Sequence, residues 1–495
     1  MRCRRAFLCY YQAMHDFANL TRCARYHPAL SQLPDTGLSG YLVGGFIRDA
    51  LLGRDLGDVD LVLEGDYEAG LAALAKALGR EPFRLGDRFR ADRFALPYGM
   101  VDVAPLQGKN REEDLLRRDF TINAIAVGLG DLGGELSQET LIDPAQGLED
   151  LAAGRLVAIS EKNLLDDPLR ILRAFRFMVQ LGFSIEEATG SLLSVHAGKL
   201  TQAAPERIRE ELMLMLRCDG AAGGLNAMDA AGVLTALFPE IEQMRGFSQN
   251  EYHHLPVLEH SLECVRELEH ILLSGEGLAD DVRHHVLNEM REVVSPPATR
   301  AALTKLALLF HDIGKPQTAQ QQEDGKLTFY GHQGVGRSIA SAAFQRIRLS
   351  NQERDLLELL IEEHLRIGFY CNDLPVSNKL IYRYCRKLGE ATAMSCLHAL
   401  ADARATRGEA VSGQFVAEHE EVANAILWHL YVGKDISEPT SLLTGEEIME
   451  LTGLPEGPRI GELKEALLEA QVEGLVRTRE DAERFIARQW KHSAG

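Results

Sequence analysis

The spacing of apolar residues changes once along this chain, near residue 151, and this change constrains the fold more than any other feature. Before it, short apolar runs alternate with segments of helical spacing, which predicts a compact unit of strands and helices. After it, apolar residues recur three and four positions apart to the end of the chain, which predicts helices almost alone. The sequence therefore predicts an α+β protein, with a small mixed head on an extended all-helical neck, body and tail.

Local signals predict individual elements of the head. Residues 41–43, 59–63 and 100–103 are predicted strands, because they are short and mostly apolar and are separated by turn-forming residues. Residues 46–52 and 67–78 are predicted helices, the first of them ended by Gly53. Residues 1–35 are predicted to form a helical extension that ends at Pro34.

Composition and charge exclude several classes of protein. No apolar run reaches the roughly 18 residues that a membrane span needs, and the first residues lack the features of a secretory signal. We therefore expect a cytoplasmic protein without a membrane partner. The eight cysteines form no CxxC pair, which argues against a disulfide framework and against a thiolate zinc site. The net charge of -20 argues against tight, indiscriminate binding along duplex DNA. A local basic strip can still bind an RNA backbone.

Acidic residues lie on the predicted strands of the head. Asp58 and Asp60 are two positions apart, so their side chains share one face, and Asp102 on another predicted strand completes a candidate catalytic set. Two or three carboxylates can hold Mg²⁺, which neutralises a triphosphate and activates the attacking oxygen in phosphoryl transfer. An Asp-x-Asp pair taken alone is more often simply solvated.

A pair of glycines precedes these carboxylates, between a predicted strand and a predicted helix. Gly44 and Gly45 can bring bare backbone amides to a phosphate, and Arg48 adds a cation one turn further on. A Gly-Gly pair taken alone is usually only a turn. The complete segment GGFIRDALLGRDLGDVDLV is far more specific, and it resembles the motif of the DNA polymerase β-like nucleotidyltransferases. It is most similar to the bacterial CCA-adding enzymes and poly(A) polymerases.

The resemblance extends over most of the chain and implies a polymerase β-like head. It implies that Asp58 and Asp60 are metal ligands. For the turn and the helix that follows, it implies a group of residues at the nucleotide: Gly44, Gly45, Arg48 and Asp49.

A second motif spans residues 113–124. Arg118 offers a guanidinium to phosphates, while Asp119 and Asn123 offer hydrogen bonds to ribose hydroxyls. The alternative is a charged helix start that Asp119 caps. The run RRDFTINA resembles the ribose-recognition segment of the same family, which favours the functional interpretation. The next segment, around Asp143 and Gly147, is predicted to be structural.

A helix is predicted to begin at Pro168, with Asp166 as its N-cap. It carries a row of arginines spaced three apart, a pattern that is commonly only solvated: Arg170, Arg173 and Arg176. The segment resembles the Glu-Asp-x-x-Arg element of the family, although Asp166 replaces the usual Glu and leaves the role of that position open. The resemblance implies that Asp167 and Arg170 contact the Watson–Crick edge of CTP or ATP. It implies that the two later arginines contact the phosphates.

Histidines and aspartates on separate predicted helices form a second candidate site. A single histidine is more often a core residue, yet imidazole and carboxylate groups from several helices suit a divalent metal. Their order, with HDIGK as a specific match, resembles the HD phosphohydrolase superfamily. The resemblance implies the metal ligands His260, His311, Asp312 and Asp402, with a second metal completed by His332 and His364. The cation is expected to be Mn²⁺, Ni²⁺ or another divalent metal, and both an active hydrolase and a relic remain open.

The C-terminal segment from Leu443 resembles the tail of the same transferases. Its basic end either contacts RNA backbone or forms a solvated amphipathic helix, and the sequence leaves both open: Arg477, Arg479, Arg484, Arg488 and Lys491. We predict five segments: a helical extension (1–35), a transferase head (36–150), a helical neck and RNA-binding body (151–248), an HD domain (249–412) and a helical tail (413–495).

These features predict a template-independent tRNA nucleotidyltransferase that adds CCA, or part of it, to tRNA 3′ ends from CTP and ATP. The alternatives are a poly(A) polymerase, an A-only or CC-only enzyme, a metal phosphohydrolase with an inactive head, and an inactive RNA-binding scaffold. The linker between Asp60 and Asp102 sets some of these differences in the family, and in this chain it carries four arginines: Arg84, Arg88, Arg90 and Arg93. The sequence leaves the oligomeric state open.

Overall fold

The computed structural model describes residues 16–84 and 91–493, and of residues 491–493 only the backbone. The N-terminal part of the predicted extension, the linker residues Arg88 and Arg90, and the side chain of Lys491 lie outside the described residues. The chain divides into two compact units, one through Ala203 and one from Ala204, and this division falls within the predicted segment 151–248.

A seven-stranded sheet forms the centre of the first unit, in the order β3-β4-β5-β2-β1-β6-β7. Its strands are β1 (Gly40–Val43), β2 (Val59–Leu63), β3 (Phe83–Arg84), β4 (Asp92–Leu96), β5 (Gly99–Pro105), β6 (Ala126–Gly128) and β7 (Leu141–Ile142). Only β2 and β5 pair in parallel, and the other neighbours are antiparallel. Every residue of β1 is buried, because the strand lies between β2 and β6, and its apolar run fits a strand covered on both faces.

Helices flank this sheet and continue to the end of the first unit. They are α1 (Phe17–Tyr26), α2 (Gly45–Leu51), α3 (Tyr67–Leu78), α4 (Arg111–Leu115), α5 (Gly147–Ala153), α6 (Glu161–Asp166), α7 (Leu169–Leu181) and α8 (Glu187–Val195). A short parallel pair, β8 (Arg155–Leu156) and β9 (Ser184–Ile185), lies beside them. The central strands and the helices α2 and α3 agree with the sequence predictions within a residue or two.

The second unit is almost entirely helical. Its helices are α9 (Pro205–Leu216), α10 (Ala221–Ala230), α11 (Val233–Leu237), α12 (Val257–Ser274), α13 (Asp280–Glu289), α14 (Arg300–Phe310), α15 (Lys315–Thr318), α16 (His332–Arg346), α17 (Asn351–Glu363), α18 (Arg366–Tyr370), α19 (Asn378–Leu388), α20 (Thr392–Ala405), α21 (Phe415–Tyr431), α22 (Gly445–Thr452), α23 (Pro458–Val472) and α24 (Arg479–Ser493). Two short hairpins interrupt them: β10 (Val293–Ser295) with β11 (Ala298–Thr299), and β12 (Gln320–Gln321) with β13 (Leu327–Thr328).

Helices α14 and α20 lie at the centre of the second unit. From Ala302 to Phe310 every residue of α14 is buried, and nearly every residue of α20 is buried as well. Helices α12 and α17 pack against α14, and α12 and α21 pack against α20. A helix that is apolar on all sides belongs in a core, so this burial follows from the sequences of the two helices.

The predicted N-cap at Asp166 is wrong. Asp166 is the last residue of α6, and Asp167 follows it in an extended conformation. Pro168 then stands directly before α7, and no side chain caps this helix start. The predicted structural role of Asp143 agrees with the structure, since its carboxylate accepts the Gly147 and Leu148 amides at 2.7 and 2.9 Å. Among the described residues, no helix is both long and apolar enough to cross a membrane.

Candidate functional site

The carboxylates of the head lie on neighbouring strands. Asp60 on β2 is in register with Asp102 on the parallel strand β5. Asp58 directly precedes β2, and its Oδ1 accepts the Met100 amide at 3.2 Å. The structure therefore brings the three predicted carboxylates to one part of the sheet.

Asp60 carries negative charge that its surroundings do not balance. Burial raises the pKa of this carboxyl to about 6, and the nearby Asp102 and Asp58 act in the same direction. Arg118 and Arg173 lower the pKa, but by too little to cancel the cost of burial. A divalent cation at this position would supply the missing positive charge, so the donor set fits a metal.

Asp102 differs from the expectation that it simply completes a ligand set. Arg93 on β4 donates to both of its oxygens, at 2.6 and 2.7 Å. Among the described residues, the three aspartates do not form a group whose oxygens all lie within 4.8 Å of one another. Arg93 thus occupies part of the acceptor capacity of Asp102, and the role of Asp102 as a metal ligand stays a prediction.

Gly44 brings the backbone directly against Asp60. Its φ of +82° lies in the left-handed region, and a Cβ there would lie 3.0 Å from Asp60 Oδ2 and 3.6 Å from Arg118 Nη1. Its amide donates to the Ile125 carbonyl at 3.4 Å. A side chain at position 44 would therefore enter the space between the carboxylate and the guanidinium.

Arg48 lies inside the head rather than on its surface. Only 4% of the residue is exposed, and its Nε and Nη2 each donate to Asp49 at 2.9 Å. Its Nη1 donates to Asn123 Oδ1 at 2.7 Å. Arg48 thus joins two other predicted nucleotide residues, and Asp49 balances its charge.

Asp119 links the second motif to the helix α7. Its Oδ1 accepts the Phe120 amide at 2.8 Å and Asn123 Nδ2 at 3.0 Å, and its Oδ2 accepts Arg173 Nε at 2.9 Å. Burial alone would raise the pKa of this carboxyl, but Arg173 and the hydrogen bonds outweigh burial and hold the pKa well below its usual range. Asp119 therefore stays ionised and fixes Asn123 and Arg173.

Three arginines lie around the ring of Phe177. The guanidinium carbons of Arg176, Arg48 and Arg173 lie 4.1, 5.0 and 5.1 Å from its centroid. The spacing of four between Arg173 and Phe177 was an available signal, since residues four apart meet on a helix face. The approach of Arg48 from another element had no local signal.

Arg170, the predicted reader of the base, contacts the backbone here. Its Nη1 donates to the carbonyls of Arg117 and Asn163 at 2.8 and 3.0 Å. Arg176 Nη1 donates to Gln180 at 2.8 Å. The Nη1 atoms of both arginines are thus engaged within the unit.

The basic end of the tail is partly neutralised. Arg479 pairs with Glu447 and with Glu483, and Arg484 pairs with Asp481 at 2.7 Å. These pairs favour the solvated amphipathic interpretation for this end of the chain, although exposed pairs contribute little energy and exchange readily.

In the second unit, the structure gathers all six residues of the predicted HD site from five elements, and each is buried except the partly exposed Asp402. His260 Nε2 lies 2.9 Å from Asp402 Oδ1, and His311 Nε2 lies 3.2 Å from Asp312 Oδ2. His332 Nε2 lies 3.3 Å from Asp312 Oδ1. The two oxygens of Asp312 thus face two different groups of histidines.

The histidine tautomers indicate where a cation would bind. The Nδ1 atoms of His332 and His364 lie 2.8 and 2.7 Å from backbone carbonyls, which only accept, so Nδ1 carries the proton in both rings. Their Nε2 lone pairs then face each other at 3.1 Å. Burial holds the pKa of His364 well below its usual range, so a proton on this ring does not relieve the repulsion. A divalent cation between the two lone pairs would do so, and the donors fit one.

Sequence reasoning missed His398. Its ring lies 5.3 Å from that of His311, it is 1% exposed, and neither ring nitrogen has a hydrogen-bond partner among the described residues. The available signal was its spacing of four before Asp402 on one helix.

Parts of the chain match three known family models. Residues 40–107 and 101–157 match the model of the Poly A polymerase head domain. Residues 182–244 match the probable RNA and SrmB-binding site of polymerase A, and residues 257–386 match the HD domain. The predicted ligand Asp402 lies beyond the HD match.

Relatives cover nearly the whole chain. An A-adding tRNA nucleotidyltransferase of Deinococcus radiodurans is 33% identical over 95% of this chain and 99% of its own. A CC-adding tRNA nucleotidyltransferase of Thermus thermophilus is 34% identical over 91% of this chain and 94% of its own. The fold resembles that of the Thermotoga maritima CCA-adding enzyme complexed with tRNA, with a TM-score of 0.64, 23% identity and coverage of 97% and 100%. The chain therefore belongs to the tRNA nucleotidyltransferase family and carries an HD domain.

The charge at Asp60 leads to a first prediction. Asp60→Asn should stabilise the metal-free protein by about 1–3 kcal/mol at about pH 8, because it removes a half-buried charge that its neighbours leave unbalanced. A carboxyl with a raised pKa stabilises the fold below its unfolded pKa, and this contribution is lost as pH rises through about 6. The advantage of Asp60→Asn should therefore vanish near pH 4. Thermal unfolding with a chelator measures both conditions.

The matched control is Asp58→Asn, at an exposed position in the same cluster. It should change stability by less than about 0.5 kcal/mol at either pH. Equal midpoints for Asp60→Asn and the unsubstituted protein at about pH 8 would contradict the assignment of an unbalanced buried charge.

Proposed function

We propose that this protein is a template-independent tRNA nucleotidyltransferase that adds CCA, or part of it, to tRNA 3′ ends from CTP and ATP. The observation that carries the proposal is the convergence of Asp60, Gly44 and Arg118 on one point of the sheet. The similarity to tRNA nucleotidyltransferases along almost the full chain supports it. We also propose a cytoplasmic location, because tRNA and nucleoside triphosphates are its substrates.

In this proposal Asp58 and Asp60 would hold Mg²⁺. The cation supplies charge neutralisation at the triphosphate and lowers the pKa of the attacking hydroxyl. The RNA 3′-hydroxyl attacks the α-phosphate of the nucleotide, a new phosphodiester bond forms and pyrophosphate leaves. Gly44 leaves room for the phosphate beside Asp60, and Arg118 donates to its oxygens.

Residues of the second motif and of α7 would bind the rest of the nucleotide. Asn123, which Arg48 and Asp119 hold from two sides, contacts the ribose. Asp167 and Arg170 contact the Watson–Crick edge, while the Nη1 of Arg170 is held by two backbone carbonyls in the structure. Arg173 and Arg176 contact phosphate oxygens.

A labelling experiment tests the reaction. Purified protein should transfer labelled CMP or AMP to tRNA that lacks its 3′ end, and the Asp58→Ala/Asp60→Ala double variant should lose the transfer. The exposed Asp35→Ala serves as a matched carboxylate control and should keep it. Normal labelling by the double variant would overturn the mechanism.

The identity of the product requires a second arm of the same experiment. The three acceptors are tRNA ending before CCA, after C and after CC, each with CTP and ATP separately. The family members compared above include A-adding and CC-adding enzymes at almost the same identity. Product lengths therefore decide between CCA, CC, A and poly(A).

Phe177 is proposed to position the arginines at the nucleotide. Phe177→Leu keeps an apolar side chain but removes the aromatic face, and a cation–π contact contributes about 0.5–2 kcal/mol. We expect kcat/KM for the nucleotide to fall about tenfold, and Phe177→Tyr to restore most of it. Equal activity of the Leu and Tyr variants would exclude the aromatic role, because a purely structural effect would not separate the two variants.

A second candidate function, metal-dependent phosphohydrolysis, is favoured by the buried histidine and aspartate cluster. It predicts turnover of cyclic nucleotides or model phosphoesters with Mn²⁺ or Ni²⁺. His311→Ala should abolish this turnover and leave tRNA labelling intact, because the residue lies outside the transferase unit. The absence of any turnover with these cations would identify the site as a relic.

A further inference from the structure

Cys264 lies at the edge of the HD cluster. It follows His260 by one turn of α12, so both side chains lie on the same face. Its Sγ lies 3.4 Å from His260 Nε2 and 3.9 Å from Asp402 Oδ1, and the residue has no exposed surface. The lack of a CxxC pair excluded a site made of paired thiolates, but it does not bear on a single thiolate among other donors.

Four different donors converge here. His260 Nε2, Cys264 Sγ, His311 Nε2 and Asp402 Oδ1 all lie within 4.8 Å of one another. Bonds of about 2.0–2.3 Å to a tetrahedral metal place its ligand atoms roughly 3.3–3.8 Å apart. The measured separations of 2.9, 3.4, 3.8 and 3.9 Å are close to this range.

His311 supplies an independent indication of a ligand. Its Nδ1 donates to the Leu308 carbonyl at 2.8 Å, so Nε2 is the ring atom that faces the oxygens of Asp312 and Asp402, at 3.2 and 3.8 Å. That Nε2 is completely buried and has no hydrogen-bond partner among the described residues. A buried ring nitrogen without a hydrogen bond, among other ligand atoms, is the arrangement that a metal ion completes.

The remaining donors form a second group without sulfur. Asp312, His332 and His364 also have ligand atoms within 4.8 Å of one another, and a third such group, His253, His260 and Asp312, shares one residue with each of the other two. The cluster therefore offers two adjacent cation positions of different chemistry. One includes a soft thiolate, and the other has only nitrogen and oxygen donors.

We infer that Cys264 is a ligand of the cation held by His260, His311 and Asp402, and that this set selects a thiophilic cation such as Zn²⁺ or Co²⁺ over Mg²⁺. The inference rests on the metal-binding part of the second candidate function. On binding, the Sγ–H bond breaks, the proton passes to solvent, and a bond forms between Sγ and the metal. The thiolate explains the selectivity, because Mg²⁺ prefers oxygen ligands whereas Zn²⁺ and Co²⁺ accept sulfur.

The test is spectroscopic and does not depend on turnover. The metal-free full-length protein is titrated with Co²⁺ alone. Thiolate ligation should produce an intense sulfur-to-cobalt charge-transfer band in the near ultraviolet, which nitrogen and oxygen ligands do not give. Cys264→Ser and Cys264→Val should lose this band while they keep Co²⁺ absorption from the sulfur-free position.

Cys385→Ser is the matched control, because Cys385 is also buried but belongs to none of the groups of mutually close donors among the described residues. It should keep the band, and His311→Ala should lose it. Circular dichroism of each variant verifies that its helices are formed. Survival of the full band in both Cys264 variants, or its absence from the unsubstituted protein, would overturn the inference.

The outcomes also separate this inference from the proposed hydrolase. A band without phosphoester turnover supports Cys264 ligation and rejects the hydrolase. Turnover without a band overturns Cys264 ligation alone.

Discussion

The hydrogen bonds of the buried Asp119 carboxylate are the interactions on which the first unit, which contains the transferase head, most depends. This carboxylate joins the second motif to α7 through Asn123 and Arg173, and it must remain ionised to do so. An ionised carboxylate inside a protein requires a full set of donors, and here a backbone amide, a side-chain amide and a guanidinium provide it. Asp119 therefore does more than cap a helix start, which was the alternative that the sequence left open.

The arginines around Phe177 follow from this arrangement. Three guanidinium groups near one ring repel each other, and the fold compensates with carboxylates and with the aromatic face. Asp49 balances Arg48, and Asp119 balances Arg173. The guanidinium groups are thus already in position before a nucleotide binds. The free-energy cost of bringing them together is part of the free energy of folding. Asp60 shows the opposite state, a carboxylate that its neighbours leave unbalanced and that a cation would complete.

Much of the local structure could be predicted because its signals are local. Helix α3 has the predicted bounds, since Asp66 caps its start and Gly79 ends it with a left-handed φ. Asp58, Asp60 and the histidine motif were found because their spacing is specific. The contacts of Asp102 with Arg93 and of Arg48 with Phe177 depend on which strands and helices become neighbours, and no local pattern encodes that pairing. Cys264 and His398 each had a spacing signal, but single residues on apolar helix faces usually belong to the core.

The state of Arg170 bears on how one head can serve enzymes with different products. Its Nη1 donates to the Arg117 and Asn163 carbonyls, so in the proposed base recognition a hydrogen bond from Nη1 to a base replaces one of these and gains only the difference between the two. In that proposal, discrimination between CTP and ATP by Nη1 depends on how well each base competes with those carbonyls. Small shifts of the residues that carry them would change that competition without altering the catalytic carboxylates. The proposed choice of nucleotide is therefore sensitive to the residues around one arginine, while the carboxylates of the head stay unchanged.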